Sequence, residues 1–275
     1  MRTIKTIIIR NLTNFCRNKI QIAFSIIMPL FLMFTFSFVM KSNTIGYSSP
    51  LNYLIAGIII MTVFQSALTN STSIIEDIAN GFMKEIIVSP SERWQISLGQ
   101  ISSAVVISVL QGLIVVIMGL FMGLKISVLQ FIGMFIVMIA VGFTFSAIGL
   151  FLASLSKNST TFQMITNVLL MPLTFLSGAY IPTNVMPKIV QPLVYINPLT
   201  YTTAIFRYIT LKMWNMTNKS LIKAGVAFNL NGFIIKPYEG FLIILAMCAI
   251  FFVLSVRQFN TTDFSKVKVF NHHEN

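Results

Sequence analysis

Residues 129–154 read LQFIGMFIVMIAVGFTFSAIGLFLAS, 26 consecutive positions without a charged side chain. A helix rises about 1.5 Å per residue and a bilayer's hydrocarbon core is about 30 Å thick, so about 20 apolar residues are enough to cross it. Five more stretches of this kind lie at 20–40, 51–70, 97–122, 163–181 and 238–256. The whole chain has the same character: of 275 residues, 56% are hydrophobic and only 9% charged, with a mean hydropathy of +0.84. A soluble domain carries about 25% charged residues, so this composition could not cover a soluble surface. The predicted fold class is all-α: a polytopic membrane protein with six transmembrane helices between residues 20 and 256.

Glycines 112, 119, 133, 142 and 149 in the third and fourth spans suit close helix contact in lipid. Pro29 and Pro172 interrupt the first and fifth, which a bundle tolerates when neighbours satisfy the freed carbonyls. In the leader, 1–19, Ile4, Ile7, Ile8, Leu12 and Phe15 recur at helical spacing, while Arg2, Lys5, Arg10, Arg17 and Lys19 carry charge. That pattern predicts an amphipathic helix lying in the membrane surface; a disordered basic leader is the bland alternative. No small-x-small cleavage site follows Met40, so the first span reads as a retained helix rather than a signal peptide.

Lysine and arginine placement sets the expected orientation. With the N-terminus inside, 11 basic residues face the cytoplasm and eight face out; the leader's five against Lys41 alone decide the matter. Six crossings then put both termini, including the tail 257–275, in the cytoplasm of a cell membrane. The segment 182–237 is harder. Its oily part, IVQPLVYINPLTYTTAIF (189–206), is broken by Pro192, Asn197 and Pro198 and ended by Arg207. A charge at mid-bilayer costs about 2.5–3.5 kcal/mol, so a re-entrant or surface-lying pair of short helices is predicted there instead of a seventh span.

Several chemistries are absent. Cys16 and Cys248 lie far apart in apolar contexts, and the tail pair His272 and His273 lacks a nearby third ligand, so no metal site is predicted. There is no GxxxxGK[ST] loop, no HExxH, no CxxC and no GxSxG; no catalytic residue is assigned. The net charge of +12 belongs to the flanks of the spans and has no interleaved aromatics, which excludes nucleic acid as a partner. Of the seven acidic residues only Glu239 touches a proposed span, at the outer mouth of the last one, and none lies at membrane depth. Proton-driven carriers place carboxylates at membrane depth; here the energy would have to arrive from another protein.

Residues 71–96 form the longest inner connection, net negative with two basic and four acidic residues. Its run GFMKEIIVSPSERW (81–94) mixes an amphipathic turn with a Ser-Pro break and a new helix start, for which Ser89 and Ser91 are candidate caps. A solvated loop with ordinary helix punctuation would also read this way. The run resembles the signature of the ABC-2 type transporter permeases, and a second stretch, SGAYIPTNVMPKIVQPLVYINPLTYTTAIFR (177–207), resembles that family's outer motif. The likeness extends over essentially the whole chain.

The resemblance implies a dimer, identical or mixed, in which each permease binds an ABC ATPase subunit on the cytoplasmic face. ATP and Mg would be bound by that subunit, and this chain would hold no cofactor. The 71–96 connection would act as the coupling element, with Glu76, Gly81, Lys84, Glu85, Ser89, Pro90 and Arg93 at or beside the interface; the leader would contact the same partner. Ser177, Gly178, Pro182, Asn197, Pro198, Tyr201 and Arg207 would form the outer re-entrant motif. A path between protomers would be lined by Gln65, Gln100, Gln111, Asn167, Tyr180 and Tyr195, although buried amides in spans also serve as helix-to-helix hydrogen bonds. The SGAYIP form is more similar to drug and antibiotic-resistance exporters than to polysaccharide exporters, implying export of an amphipathic or lipid-like cargo from a prokaryotic cell. A secondary carrier or channel, and a membrane enzyme of lipid metabolism, are the competing classes.

Overall fold

The computed structural model describes residues 2–42, 50–79, 92–156, 158–180, 182–187, 189–230 and 233–261. Helix α1 (Arg2–Arg17) is followed by α2 (Lys19–Ser42) and α3 (Pro50–Thr69), which runs through a 3-10 turn (Asn70–Thr72) into α4 (Ser73–Ala79). Then come α5 (Arg93–Phe121), α6 (Val128–Leu155) and α7 (Ser159–Leu176). Two short helices, α8 (Gln191–Ile196) and α9 (Pro198–Thr210), precede α10 (Asn218–Lys223), and α11 (Pro237–Thr261) closes the bundle.

Helix α3 is the hub. It is apolar all round, a pattern that belongs to a buried helix, and it packs against α2, α5, α6 and α9. Leu54, Ile55, Ile58, Ile59, Val63 and Phe64 are buried, and the Phe64 ring meets Phe145 of α6 edge-on at 4.5 Å. Close approach depends on two glycines: a Cβ on Gly112 of α5 would lie 2.5 Å from Val63, and one on Gly149 of α6 would lie 2.5 Å from Ser71 Oγ. By contrast, α2 turns Phe24, Ile27, Phe31 and Phe34 outward, and α11 turns out Leu242, Leu245, Ile250 and Val253. An apolar exterior of this extent suits lipid rather than water.

Among the described residues, five helices are long and apolar enough to cross a membrane, over Lys19–Phe36, Leu51–Asp77, Arg93–Phe121, Val128–Leu155 and Pro237–Gln258. The remaining apolar stretch, 163–181, gives the 18-residue α7, which carries Gln163, Asn167 and Pro172 and ends at a turn where Gly178 has φ of 81°. The protein is thus a mostly helical, multi-pass membrane protein. One feature departs from an all-helical reading: Phe228–Leu230 pairs antiparallel with Phe233–Ile235, in the register Phe228↔Ile235. The Asn231-Gly232 dipeptide between the strands is a strong hairpin signal in the sequence.

The segment expected to re-enter or lie on the surface forms the pair α8 and α9. Helix α9 is buried within protein: Leu199–Arg207, Ile209 and Thr210 are all shielded, against α3, α6 and α11. Its last turn is fixed by Gln130, whose Nε2 donates to the carbonyls of Ile209 (3.0 Å) and Thr210 (2.8 Å). The same Gln130 completes a capping box with Ser127 at the start of α6. One side chain therefore satisfies orphan groups at two helix ends.

Candidate functional site

Two polar assemblies grip opposite ends of the hub. At the leader side, the stripe of α1 lies along α5, with Ile7 and Phe15 buried and Gly99 of α5 leaving room for Ile7. Asn11 sits in the middle of that stripe, one turn from each of Ile7 and Phe15. Its Nδ2 donates to Gln100 Oε1 and to Ser103 Oγ, both at 2.8 Å, while its Oδ1 accepts from Arg10 Nη2 at 2.8 Å. Arg10 forms an ion pair with Asp77 of α4, and Gln100 Nε2 donates to the same carboxylate at 2.9 Å. Ser73 Oγ adds a bond to Gln100 Oε1 at 3.2 Å. The network thus ties the leader to the first turn of the 71–96 connection and to α5. It is partly buried, with the Arg10 and Asp77 side chains 24% and 13% exposed, so its charge-assisted bonds are stronger than surface pairs.

Glu76 is exposed on α4 next to Asp77, and Arg93 opens α5, where Glu92 is the N-cap and accepts from the Trp94 indole N–H. Gly81, Lys84, Glu85, Ser89 and Pro90 lie outside the described residues.

The other assembly surrounds Arg207, which is 1% exposed. Its guanidinium donates to the carbonyls of Gly178 and Ala179, each at 2.6 Å, and to that of Tyr53 at 3.3 Å, and it lies 3.5 Å from the centre of the Tyr53 ring. Gly57 makes this possible, since a Cβ there would stand 2.4 Å from the Ala179 carbonyl oxygen. Ser177 braces the turn by donating to Thr174 O (2.6 Å) and accepting from Ala179 N–H (3.1 Å). Asn197 caps α9 by accepting from Leu199 N–H at 2.9 Å, and its Nδ2 donates to Leu173 O at 2.7 Å, so it serves the end of α7 as well. Pro198 fills the first helical position, where its missing N–H costs nothing. Tyr201 donates to Tyr195 O at 2.6 Å, and Pro182 is buried beside the turn. Ser177, Gly178 and Arg207 therefore meet in one knot, Asn197 and Pro198 join the end of α7 to the start of α9, and Tyr201 instead fastens α9 to α8.

The six pathway candidates divide. Gln65, Gln111 and Tyr180 line one groove of about 350 Å³ between α2, α3, α5 and α7, where the Tyr180 ring stacks on Phe36 at 5.5 Å. Gln100 belongs to the leader network, Asn167 is exposed on α7, and Tyr195 packs on Phe228 at the outer hairpin. A second cavity, about 320 Å³ and mostly polar, adjoins the leader network. Among the described residues, no three His, Cys, Asp or Glu side chains come together to hold a metal ion.

The family profile described as ABC-2 type transporter matches residues 2–211. The chain belongs to that family. Named transport permeases are similar to it, two of them over most of their length. The candidate transport permease ycf38 of Cyanophora paradoxa is 25% identical over 248 residues, covering 86% of this chain and 82% of that one. The inner membrane transport permease YadH of Escherichia coli K12 is 25% identical over 214 residues, 74% of this chain and 81% of its own. YbhR of the same organism, named as a candidate multidrug ABC transporter permease, is 28% identical over 165 residues, 58% of this chain and 45% of that one. This ABC-2 permease is a membrane subunit of an ABC transporter, not itself a catalytic enzyme.

Three contributors to its polar assemblies escape a reading of the sequence. Tyr53 and Gly57 of the ABC-2 permease look like ordinary members of an apolar span, and no local pattern links them to Arg207, which lies 154 positions from Tyr53. Asn11 could have been found: it interrupts an apolar stripe at a spacing that puts it on the packed face.

Proposed function

We propose that this ABC-2 permease is the export subunit of a transporter driven by a separate ATPase, carrying an amphipathic cargo out of the cell. In this reading α2, α3, α5, α6, α7 and α11 cross the membrane, α8 and α9 re-enter from the outside, and both termini are cytoplasmic. Two copies enclose the path, for which the groove holding Gln65, Gln111 and Tyr180 is the candidate lining. The ATPase binds ATP and Mg and seats against the 71–96 connection and the leader. Its closure on ATP would favour one arrangement of the paired bundles over the other, and differential affinity for the two states is what drives the change.

The observation that carries this reading is the Arg10–Asp77–Gln100 network. It joins the leader, the start of the 71–96 connection and α5 into a single unit, in this reading the cytoplasmic platform, so that force applied to the connection is not lost in independent motion of its parts. Two measurements test it. The permease is expected to co-purify with a P-loop ATPase subunit; permease that moves solute unaided would refute the coupling. Reversing either charge alone, Arg10→Asp or Asp77→Arg, is expected to lower transport-linked ATP turnover about tenfold, on the order of 1.4 kcal/mol. The double reversal should recover part of the loss while membrane insertion stays intact in all three variants. Equal turnover in wild type and both single variants would remove the network from the coupling route.

A further inference from the structure

The two cavities adjoin: Gln21, Thr69 and Asn70 line both. Toward the leader the walls carry the amides of Asn14, Asn18 and Gln163 together with Glu76. Toward the middle of α3 they turn apolar, with Met28, Leu32, Met61 and Leu170. The result is one trough, polar at the leader end and oily at the other, with room for a drug-sized or single-chain molecule. Such a gradient fits an occupant that carries the same gradient.

The charge at the polar end selects among amphiphiles. Arg10 is the one cation on the described walls, and it is engaged by Asp77 and Asn11. Glu76 makes no ion pair or hydrogen bond among the described residues, and the charged neighbour it feels is Asp77, of like sign. Among the described residues an anionic head would meet two carboxylates with no uncommitted cation to receive it. A cationic head would relieve the repulsion and find amide oxygens around it. We propose that the trough binds a cationic amphiphile, its amine or ammonium head against Glu76 and the neighbouring amides and its hydrocarbon in the groove between α2, α3 and α7. This assigns the cargo's chemical class and rests on reading the groove as part of the export path.

The test uses the permease in phosphatidylcholine nanodiscs with tritiated dodecyltrimethylammonium as probe. Saturable binding is expected, displaced by unlabelled probe but not by dodecyl sulfate. Glu76→Gln should weaken binding up to about fivefold, the range of a solvent-exposed ion pair. Thr62→Phe, which fills the groove without touching the head site, should remove saturable binding. Undiminished affinity in Glu76→Gln, or equal displacement by dodecyl sulfate, overturns the assignment. Failure here is separable from failure of the export reading. A permease–ATPase complex that pumps a neutral amphiphile and ignores this probe keeps the export reading and loses the cargo class. Binding without ATP-dependent movement does the reverse.

Discussion

Arg207→Ala protein is expected to be less stable than the parent by about 3 kcal/mol, the cost of leaving several buried backbone acceptors without their donor. The reason lies in what the guanidinium leaves behind. The carbonyls of Gly178 and Ala179 each accept from it at 2.6 Å, and the Tyr53 carbonyl at 3.3 Å, in a site closed to solvent. Each buried acceptor stripped of its donor carries a desolvation penalty of about 1–3 kcal/mol. The Tyr53 ring also loses a cation from its face. Arg207→Lys is expected to fall between parent and alanine, because an ammonium keeps the charge yet cannot fork across carbonyls from three positions. Thermal unfolding of the three proteins in one detergent is the measurement. An alanine variant that unfolds with the parent would show that the knot contributes nothing to the fold.

The second large effect is expected from a single methyl group. Gly57→Ala places a Cβ 2.4 Å from the Ala179 carbonyl oxygen, 3.0 Å from an Arg207 nitrogen and 3.1 Å from the Ala179 carbonyl carbon. Two of those three atoms are backbone, so no flexible side chain can swing away and the turn itself must lift off α3. Overpacking of this kind costs about 1–3 kcal/mol. A milder outcome is expected for Gly133→Ala, whose Cβ would meet a branched side-chain methyl of Ile209 at 3.1 Å. Gly57→Ala combined with Arg207→Ala should cost less than the two losses added together, since both undo the same contacts. Full additivity in unfolding measurements would mean that the glycine and the arginine act at separate places.

Legibility from the sequence follows the range of the interactions involved. The multi-pass architecture is written in composition and in runs of apolar residues, which need no knowledge of the fold. The two motifs at 81–94 and 177–207 carry the family resemblance, and in the second of them the Gly, Pro and Asn positions answer to local backbone geometry: Gly178 at positive φ, Pro198 at a first helical turn, Asn197 as a cap. What a sequence reads poorly is the partner of a polar residue. Arg207 looks like the charged end of an oily segment and is instead shielded, since the turn after α7 presents carbonyls that need a donor. Gln100 looks like a path-lining amide and spends both ends of its side chain on the leader network. Pro172 and the polar residues of α7 mark a helix at the short end of what can cross a bilayer, which hydropathy averaged over a longer window conceals.

The central helix has a mechanical consequence. Its 20 residues span about 30 Å, with the Arg207 knot clamped near its first turn and the leader network clamped to the segment that continues its last. A hydrogen-bonded helix packed along most of its surface barely shortens under load, so it works as a strut. Displacement imposed at one clamp is carried toward the other through the 3-10 turn at Asn70–Thr72, the one place between them where the α-helical hydrogen-bond pattern changes.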